Sequence, residues 1–366
     1  MRILITGIHG FVGSNLVKAL SGEHVIYGLD IVAPEKAGVV KTYSWEDMEK
    51  DVSGSMLHVT SVNIPEVDAI IHLAGKAHDV KTGGKGQWDE YMTVNCGLTK
   101  KIFDYFMKSK AGKFIFFSSV KAAADRVEGE YVDENVVPKP IGPYGESKMA
   151  AEQYILSQFK EFNSSKVQEF ENLRIDTTSK NSKVSELSTD SQLSILNSQL
   201  QTKSVYILRP CMIHGPGCKG NLNLLYDVVR KGLPWPLGAF ENQRTFTSID
   251  NLCFIINGLL TKDVASGIYN INDDEAVSTN ELIEIICSAT GRQAHIWHVR
   301  RGLVERVART GGWLHLPLNV ERLQKLTENY VSSNAKIKKA LGVDRLPVRA
   351  RDGLAKTIKS FENTIR

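Results

Sequence analysis

The sequence predicts an α/β fold: a doubly wound parallel sheet followed by a smaller C-terminal lobe. Two observations predict it. From the N-terminus to about residue 160, short apolar runs alternate with segments of helical period, as parallel strands joined by crossover helices do. Past residue 211 the apolar runs shorten and helical segments predominate. Residues 1–210 are therefore assigned to the sheet domain and 211–366 mainly to the second lobe, with some late segments returning to the first and the lobes meeting at a cleft. A chain of 366 residues is long enough to bury a sizeable core in this way.

The elements follow in order. Arg2 to Thr6 is an apolar run that reads as a buried strand; three glycines and His9 interrupt the apolar stretch too early for a secretory signal. A helix begins near Phe11, with Phe11, Val12, Leu16, Val17 and Leu20 on one face. Further strands are expected at His24 to Asp30, Val39 to Trp45, Asp68 to Ala74, Lys113 to Ser118, Ser204 to Pro210 and Gly267 to Ile271, the last after a helical stretch from Ile249 to Leu260. Between Gln158 and Lys203 the composition turns to Ser, Thr, Asn, Gln, Lys and Glu, which marks residues 161–203 as a polar insertion solvated at the surface. Leu187, Leu193, Ile195, Leu196 and Leu200 within it could form a weak apolar stripe for docking or oligomer contact.

Composition narrows the function. Hydrophobic residues are 42% and charged residues 23%, with no apolar run long enough for a membrane span, so a soluble globular protein is expected. Lys and Arg number 45 against 41 Asp and Glu, and a dispersed net charge of +4 does not suggest nucleic acid. Five cysteines without CxxC spacing suggest neither a disulfide framework nor a zinc site, and point to a cytoplasmic setting.

The first strand runs into Thr6-Gly7-Ile8-His9-Gly10-Phe11-Val12-Gly13, directly before a helix. Gly7 permits a tight turn, Gly10 lets backbone N–H groups approach a pyrophosphate, and Gly13 lets helix and strand pack closely; the helix N-terminus then supports phosphate. This is a Rossmann-like dinucleotide turn. The second strand closes on Asp30, 23 residues after Gly7, where a carboxylate accepts the ribose hydroxyls and repels a 2′-phosphate. NAD is favoured over NADP, while nearby Lys36 leaves tolerance of NADP open.

Tyr144 and Lys148 are four residues apart, so on a helix both side chains lie on one face. A free tyrosine has a pKa of about 10, and bringing it near 7 demands roughly 4 kcal/mol of differential stabilisation of the phenolate. The Lys148 ammonium, together with a positively charged nicotinamide, can supply it. Ser118 and Ser119 upstream, at a strand end, add hydroxyls that can hold a substrate oxygen.

These pieces, with His72-Leu73-Ala74-Gly75, Asn95, Phe117-Ser118-Ser119, Tyr144-Gly145-Glu146-Ser147-Lys148 and Leu208-Arg209-Pro210, resemble the extended short-chain dehydrogenase/reductase superfamily in its nucleotide-sugar epimerase/dehydratase branch. The resemblance implies catalysis by Tyr144, Lys148 and Ser119, with Ser118 as second choice for the hydroxyl. It implies a cofactor site of Gly7, Gly10, Phe11, Val12, Gly13, Asp30, Leu73, Ala74, Gly75 and Asn95, completed by Tyr144 and Lys148. It places uridine diphosphate near Asn221 and Leu222, a diphosphate on Arg244, and a weaker contact at Arg322. His72 and His78 are expected to be structural, no metal is expected, and Lys121 is expected to meet solvent.

Two departures bear on the substrate. Val120 and Lys121 follow the serine pair where a dehydratase would carry an acid/base carboxylate, and the Ser-Ser-Val-Lys run resembles a subgroup acting on UDP-N-acetylhexosamines and their 4-keto-6-deoxy derivatives. Met212 stands where hexose 4-epimerases often have a hydrogen-bonding asparagine. The expected activity is a 4-epimerase of a UDP-hexose or UDP-N-acetylhexosamine; the alternatives are an NAD(P)H-dependent reductase of a UDP-4-keto-6-deoxy-N-acetylhexosamine and a non-catalytic dinucleotide sensor. A UDP-sugar partner and a homodimer are expected, without nucleic acid or membrane.

Overall fold

Ile3, Leu4 and Ile5 are completely buried, as a strand covered on both faces requires, and this run forms an inner strand of the sheet. A computed structural model describes residues 1–52, 64–77, 85–179, 202–313 and 320–365. In chain order its elements are β1 Arg2–Thr6, α1 Phe11–Leu20, β2 Val25–Asp30, β3 Lys41–Ser44, α2 Trp45–Val52, β4 Ala69–His72, α3 Lys85–Tyr91, a π-helical turn Met92–Gly97, α4 Leu98–Lys108, β5 Lys113–Phe117, α5 Val120–Ala123 and α6 Pro143–Ser179. They continue with β6 Ser204–Pro210, β7 Met212–His214, α7 Asn221–Arg230, β8 Phe246–Ser248, α8 Ile249–Thr261, β9 Gly267–Ile271, α9 Thr279–Ala289, α10 Arg301–Trp313, α11 Val320–Thr327, α12 Ala335–Leu341 and α13 Ala350–Ile365.

Seven strands form one sheet in the order β3-β2-β1-β4-β5-β6-β9. The pairs from β3 to β5 are parallel, with Ile3 opposite Ile26 on one side and Ala69 on the other. Strand order reverses between β1 and β4, and in a doubly wound sheet that switch point is where a ligand finds a crevice at the strands' C-terminal ends. All of the expected strands form; His24, Val39, Val40, Asp68, Leu73, Ala74 and Ser118 fall just outside them, where the ladder pairing ends, and Trp45 opens α2 instead.

The chain divides into two compact units: Met1–Gly13, Leu20–Ser118 and Ile141–Ile207 in one, Ser14–Ala19, Ser119–Pro140 and Leu208–Arg366 in the other. In the first, Phe103, Phe106 and Phe114 meet at ring-centroid distances of 5.0 to 5.7 Å beneath the sheet. Buried Lys203 donates to the carbonyls of Phe106, Ser109 and Ala111 at 2.8 to 2.9 Å and so gathers the backbone at the C-terminal end of α4 and just beyond it. In the second, β7 and β8 pair in parallel, and α9 starts with a capping box in which Ser278 and Glu281 satisfy each other's backbone N–H groups. Ser119–Pro140 joins this unit because its polar groups find partners there: Val132 donates to Val331 O at 2.9 Å, and Glu134 accepts from Asn270 N at 2.7 Å.

The polar segment departs from its expected loop character. Helix α6 continues to Ser179, so residues 161–179 are helical. No glycine or proline lies between Gly145 and Pro210 to stop it. Ser164 and Ser165 return their hydroxyls to the carbonyls of Lys160 and Phe162 at 3.0 and 2.8 Å, which accommodates polar side chains within the helix. The apolar stripe from Leu187 to Leu200 lies outside the described residues.

Candidate active site

The glycine turn after β1 is closed by Gly7 N–H donating to Leu29 O at 2.8 Å and Gly10 N–H donating to Gly7 O at 3.0 Å. Gly7 has φ +67°, and a Cβ there would also lie 2.9 Å from Ala74 N. At Gly13 a Cβ would lie 2.6 Å from Gly7 O and 2.8 Å from Ile8 Cα, so α1 approaches the turn only because that side chain is missing. Phe11 and Val12 open α1, where first-turn N–H groups have no intrahelical acceptor. Asp30 closes the turn from the other side: one carboxylate oxygen accepts from His9 N–H at 2.9 Å, the other from Ile31 N–H at 2.8 Å. Each oxygen retains a second lone pair.

Across the switch point, Thr6 Oγ1 accepts from the N–H groups of Leu73 and Ala74 at 3.2 and 3.1 Å. Its hydroxyl bonds His72 Nδ1 at 2.6 Å, and His72 Nε2 bonds Thr99 Oγ1 at 2.9 Å. Because Thr99 gives its own proton to Asn95 O at 2.6 Å, His72 Nε2 must be the donor and Nδ1 the acceptor. Burial, and then the Lys148 charge, hold the His72 pKa well below the usual imidazole value, so this ring is a neutral brace between β1 and the helical layer. His78 lies outside the described residues.

Asn95 sits fully buried in the π-helical turn, a distortion that recurs at functional sites. Its Oδ1 accepts from Lys76 N–H at 2.7 Å, and its Nδ2 donates to Lys76 O at 3.1 Å and Ser147 Oγ at 3.0 Å. A Cβ on Gly75 would lie 2.8 Å from Asn95 Oδ1 and 3.0 Å from Lys148 Nζ. Gly75, Asn95 and Lys148, far apart in sequence, therefore converge.

Tyr144 and Lys148 share a face because α6 starts just before them. Pro143 opens the helix, and Glu146 accepts from Gly142 N–H at 3.1 Å and Trp88 Nε1–H at 2.9 Å. The half-buried Tyr144 ring meets Tyr91 edge-on at 6.3 Å. Lys148 is 5% exposed and donates to Phe117 O at 2.8 Å. Desolvation pulls its pKa down to about 8, against the attraction of Glu152, which raises it. A phenol one helical turn from a buried ammonium is suited to exchange a proton with a bound hydroxyl.

The two serines differ. Buried Ser118 gives its hydroxyl proton to Glu152 Oε1. Ser119, which belongs to the second unit, caps α5 by accepting from Lys121 N–H at 3.2 Å, a bond that leaves its own hydroxyl proton to donate. Lys121 is not turned simply to solvent: it donates to Asp125 O at 2.7 Å and lies 4.4 Å from the Tyr330 ring centroid. Sequence reading missed Glu152, although it continues the face of Tyr144 and Lys148 at the same four-residue interval.

In the second unit, Arg244 is half-buried; its Nε donates to Glu328 O at 3.4 Å, and burial lowers the guanidinium pKa. Asn221 is the first residue of α7, after Gly220 at φ +151°. The Leu222 side chain is only 4% exposed, so only its backbone can serve a polar ligand. Arg322 lies on α11, its side chain outside the described set. Met212 is exposed on β7.

A doubly wound sheet with this glycine turn, and a Tyr/Lys pair on α6, defines the class: a dinucleotide-dependent enzyme. Residues 3–168 match the model of the NAD dependent epimerase/dehydratase family, and NAD is the cofactor that goes with this match. The chain is similar to the UDP-glucose 4-epimerase of Vibrio cholerae, 26% identical over 299 residues that cover 78% of this chain and 75% of that one. It is also similar to the N-acetyl-alpha-D-glucosaminyl-diphospho-ditrans,octacis-undecaprenol 4-epimerase of Escherichia coli O157:H7, 22% identical over 345 residues, 92% and 85% of the two chains. Among solved structures, UDP-glucuronic acid 4-epimerase from Bacillus cereus in complex with NAD shares the fold at TM-score 0.63 and 18% identity, over 100% of each chain. The Bordetella bronchiseptica enzyme WbmG in complex with NAD and UDP does so at TM-score 0.64 and 16% identity, over 99% of this chain and 94% of that one. Among the described residues, no helix is long and apolar enough to cross a membrane.

The residues fit the dinucleotide. Gly7, Gly13 and Gly75 stand where a Cβ would clash with backbone or with Asn95 and Lys148, so the turn and the loop keep the close-packed bare backbone that a pyrophosphate approaches, and the Asp30 carboxylate is held against the turn.

Proposed function

We propose that the protein is an NAD-dependent nucleotide-sugar 4-epimerase acting on a UDP-hexose or UDP-N-acetylhexosamine through a 4-keto intermediate. The observation that carries this reading is the buried Lys148 one helical turn from Tyr144, beside Gly75 at the switch point. The relatives named above, 4-epimerases of sugars carried on diphosphates, support the substrate class.

In this reading Gly7, Gly10, Gly13 and the N-terminal residues Phe11 and Val12 hold the pyrophosphate. Asp30 takes the adenosine ribose, the backbone of Leu73 to Gly75 lines the nicotinamide side, and Asn95 fixes that loop against α6. NAD, when bound, supplies a reversible hydride acceptor at the sugar C4. Tyr144 takes the proton of the C4 hydroxyl and later returns it, Lys148 stabilises the phenolate, and Ser119, whose proton is not spent on Glu152, donates to the same oxygen. Arg244 pairs with the diphosphate through its guanidinium, Arg322 is a second cation for it, and the Asn221–Leu222 backbone opens α7 toward the nucleotide.

The test is incubation with UDP-glucose and UDP-N-acetylglucosamine without added NADH, with products identified by NMR. Interconversion of C4 epimers is expected. Turnover of only a UDP-4-keto-6-deoxy sugar, with NADH consumed, would replace the epimerase by the reductase.

Asp30→Ala is expected to weaken NAD binding about tenfold or more and to narrow the preference over NADP, since a hydrogen bond to a charged group contributes about 1.5–3 kcal/mol. Fluorescence titration with both cofactors reads this directly. Equal wild-type affinity for NAD and NADP would remove Asp30 from the ribose.

A further inference from the structure

We propose that Glu152 is a positioning residue for the Tyr144–Lys148 pair: its buried carboxylate, anchored by the Ser118 hydroxyl, supplies the counter-charge that keeps Lys148 an ammonium ion. The inference rests on the proposed function for its consequence in turnover, but not for its electrostatics.

Glu152 is 1% exposed, and a carboxylate buried to that degree costs several kcal/mol unless charge and hydrogen bonds compensate it. Ser118 supplies a hydroxyl donor. Lys148 precedes it by four residues on α6, a spacing that sets the two side chains side by side. The same two residues clasp the end of β5 at successive positions, Lys148 on Phe117 O and Glu152 on Ser118 Oγ. Among the described residues, the groups that face Lys148 from neighbouring elements offer no replacement. His72 of β4 is neutral, Asn95 is an amide, Phe116 presents a ring face at 5.2 Å, and Asp104 of α4 is engaged by the Tyr154 hydroxyl on another face of α6.

Burial already brings Lys148 to about 8 with Glu152 in place. Without that charge the amine would hold its proton less tightly still, and a neutral amine cannot stabilise a phenolate. Ser118 is thereby committed to the carboxylate, which leaves Ser119 as the hydroxyl for substrate.

The experiment is an NMR titration of ¹³Cε-labelled lysines in the cofactor-free protein, with the Lys148 signal assigned by its loss in Lys148→Met. In Glu152→Gln the Lys148 midpoint is expected to fall by roughly one pH unit or more, a tenfold loss of proton affinity, and in Glu152→Asp to stay closer to wild type. An unchanged midpoint in Glu152→Gln overturns the proposal. Should that variant not fold, the ¹³Cδ shift of Glu152 in the wild type decides: an ionised carboxylate at pH 7 supports the counter-charge, and a protonated one overturns it. Where UDP-sugar turnover exists, kcat in Glu152→Gln should drop with KM little changed, its pH profile moving with Lys148. Absence of turnover in the wild type would refute the epimerase reading while leaving the titration result standing.

Discussion

Tyr144→Phe is expected to reduce C4 interconversion by about 10²- to 10⁴-fold while fold and NAD affinity stay close to wild type. Phenylalanine keeps the ring that meets Tyr91 edge-on at 6.3 Å, and it keeps the first turn of α6, whose Glu146 and Pro143 anchors are untouched. Only the hydroxyl disappears, so a loss of turnover reads the proton transfer itself. Tyr91→Phe is the control: Tyr91 is buried against Tyr144, and its substitution should leave most turnover in place. Steady-state kinetics on a UDP-sugar and titration with NAD separate the two effects. Near-normal epimerisation by Tyr144→Phe would remove the tyrosine from its role. Tight NAD binding without reaction on any UDP-sugar would favour a dinucleotide sensor.

Lys148→Met has a broader expected effect. It removes the stabilising charge for Tyr144, it deprives Phe117 O of its donor, and it leaves the Glu152 carboxylate buried without its cation. Breaking a buried charge pair from one side typically costs about 3–5 kcal/mol, so chemical denaturation should show a stability loss of that order beside the loss of turnover. NAD binding should weaken too, because the ammonium lies at the edge of Gly75, 3.0 Å from where a Cβ would be. Its pH dependence has a definite sign. In the folded protein Lys148 titrates at about 8, below the ordinary lysine value of 10.5, so between these values the unfolded chain holds more protons and wild-type stability rises with pH. The Met variant lacks that group, so the stability difference between the two should widen from pH 8 to 10.5 and be smallest at neutral pH and below. A difference independent of pH across that window would mean that the lysine is not titrating as a buried group.

Much of this protein was determined by the sequence alone, because the relevant physics is local. Gly7 and Gly13 announce a turn that a side chain would close, Asp30 ends the following strand, and Tyr144 and Lys148 are brought to one face by the helical repeat. The apolar runs mark the strands for the same reason, since a strand covered on both faces must be apolar throughout. Helix α6 beyond residue 161 was hidden by composition: serine and asparagine read as loop residues, whereas the missing glycine and proline were the better guide. Tertiary structure alone decided which strands flank the switch point, that His72 is a neutral brace between Thr6 and Thr99, and that Lys121 turns onto Tyr330. It alone separated Ser118 from Ser119, by giving the first a buried glutamate 34 residues away. Adjacent serines are chemically equivalent in a sequence. What distinguishes them is the partner each hydroxyl meets after folding, and desolvation at that place sets the strength of the interaction.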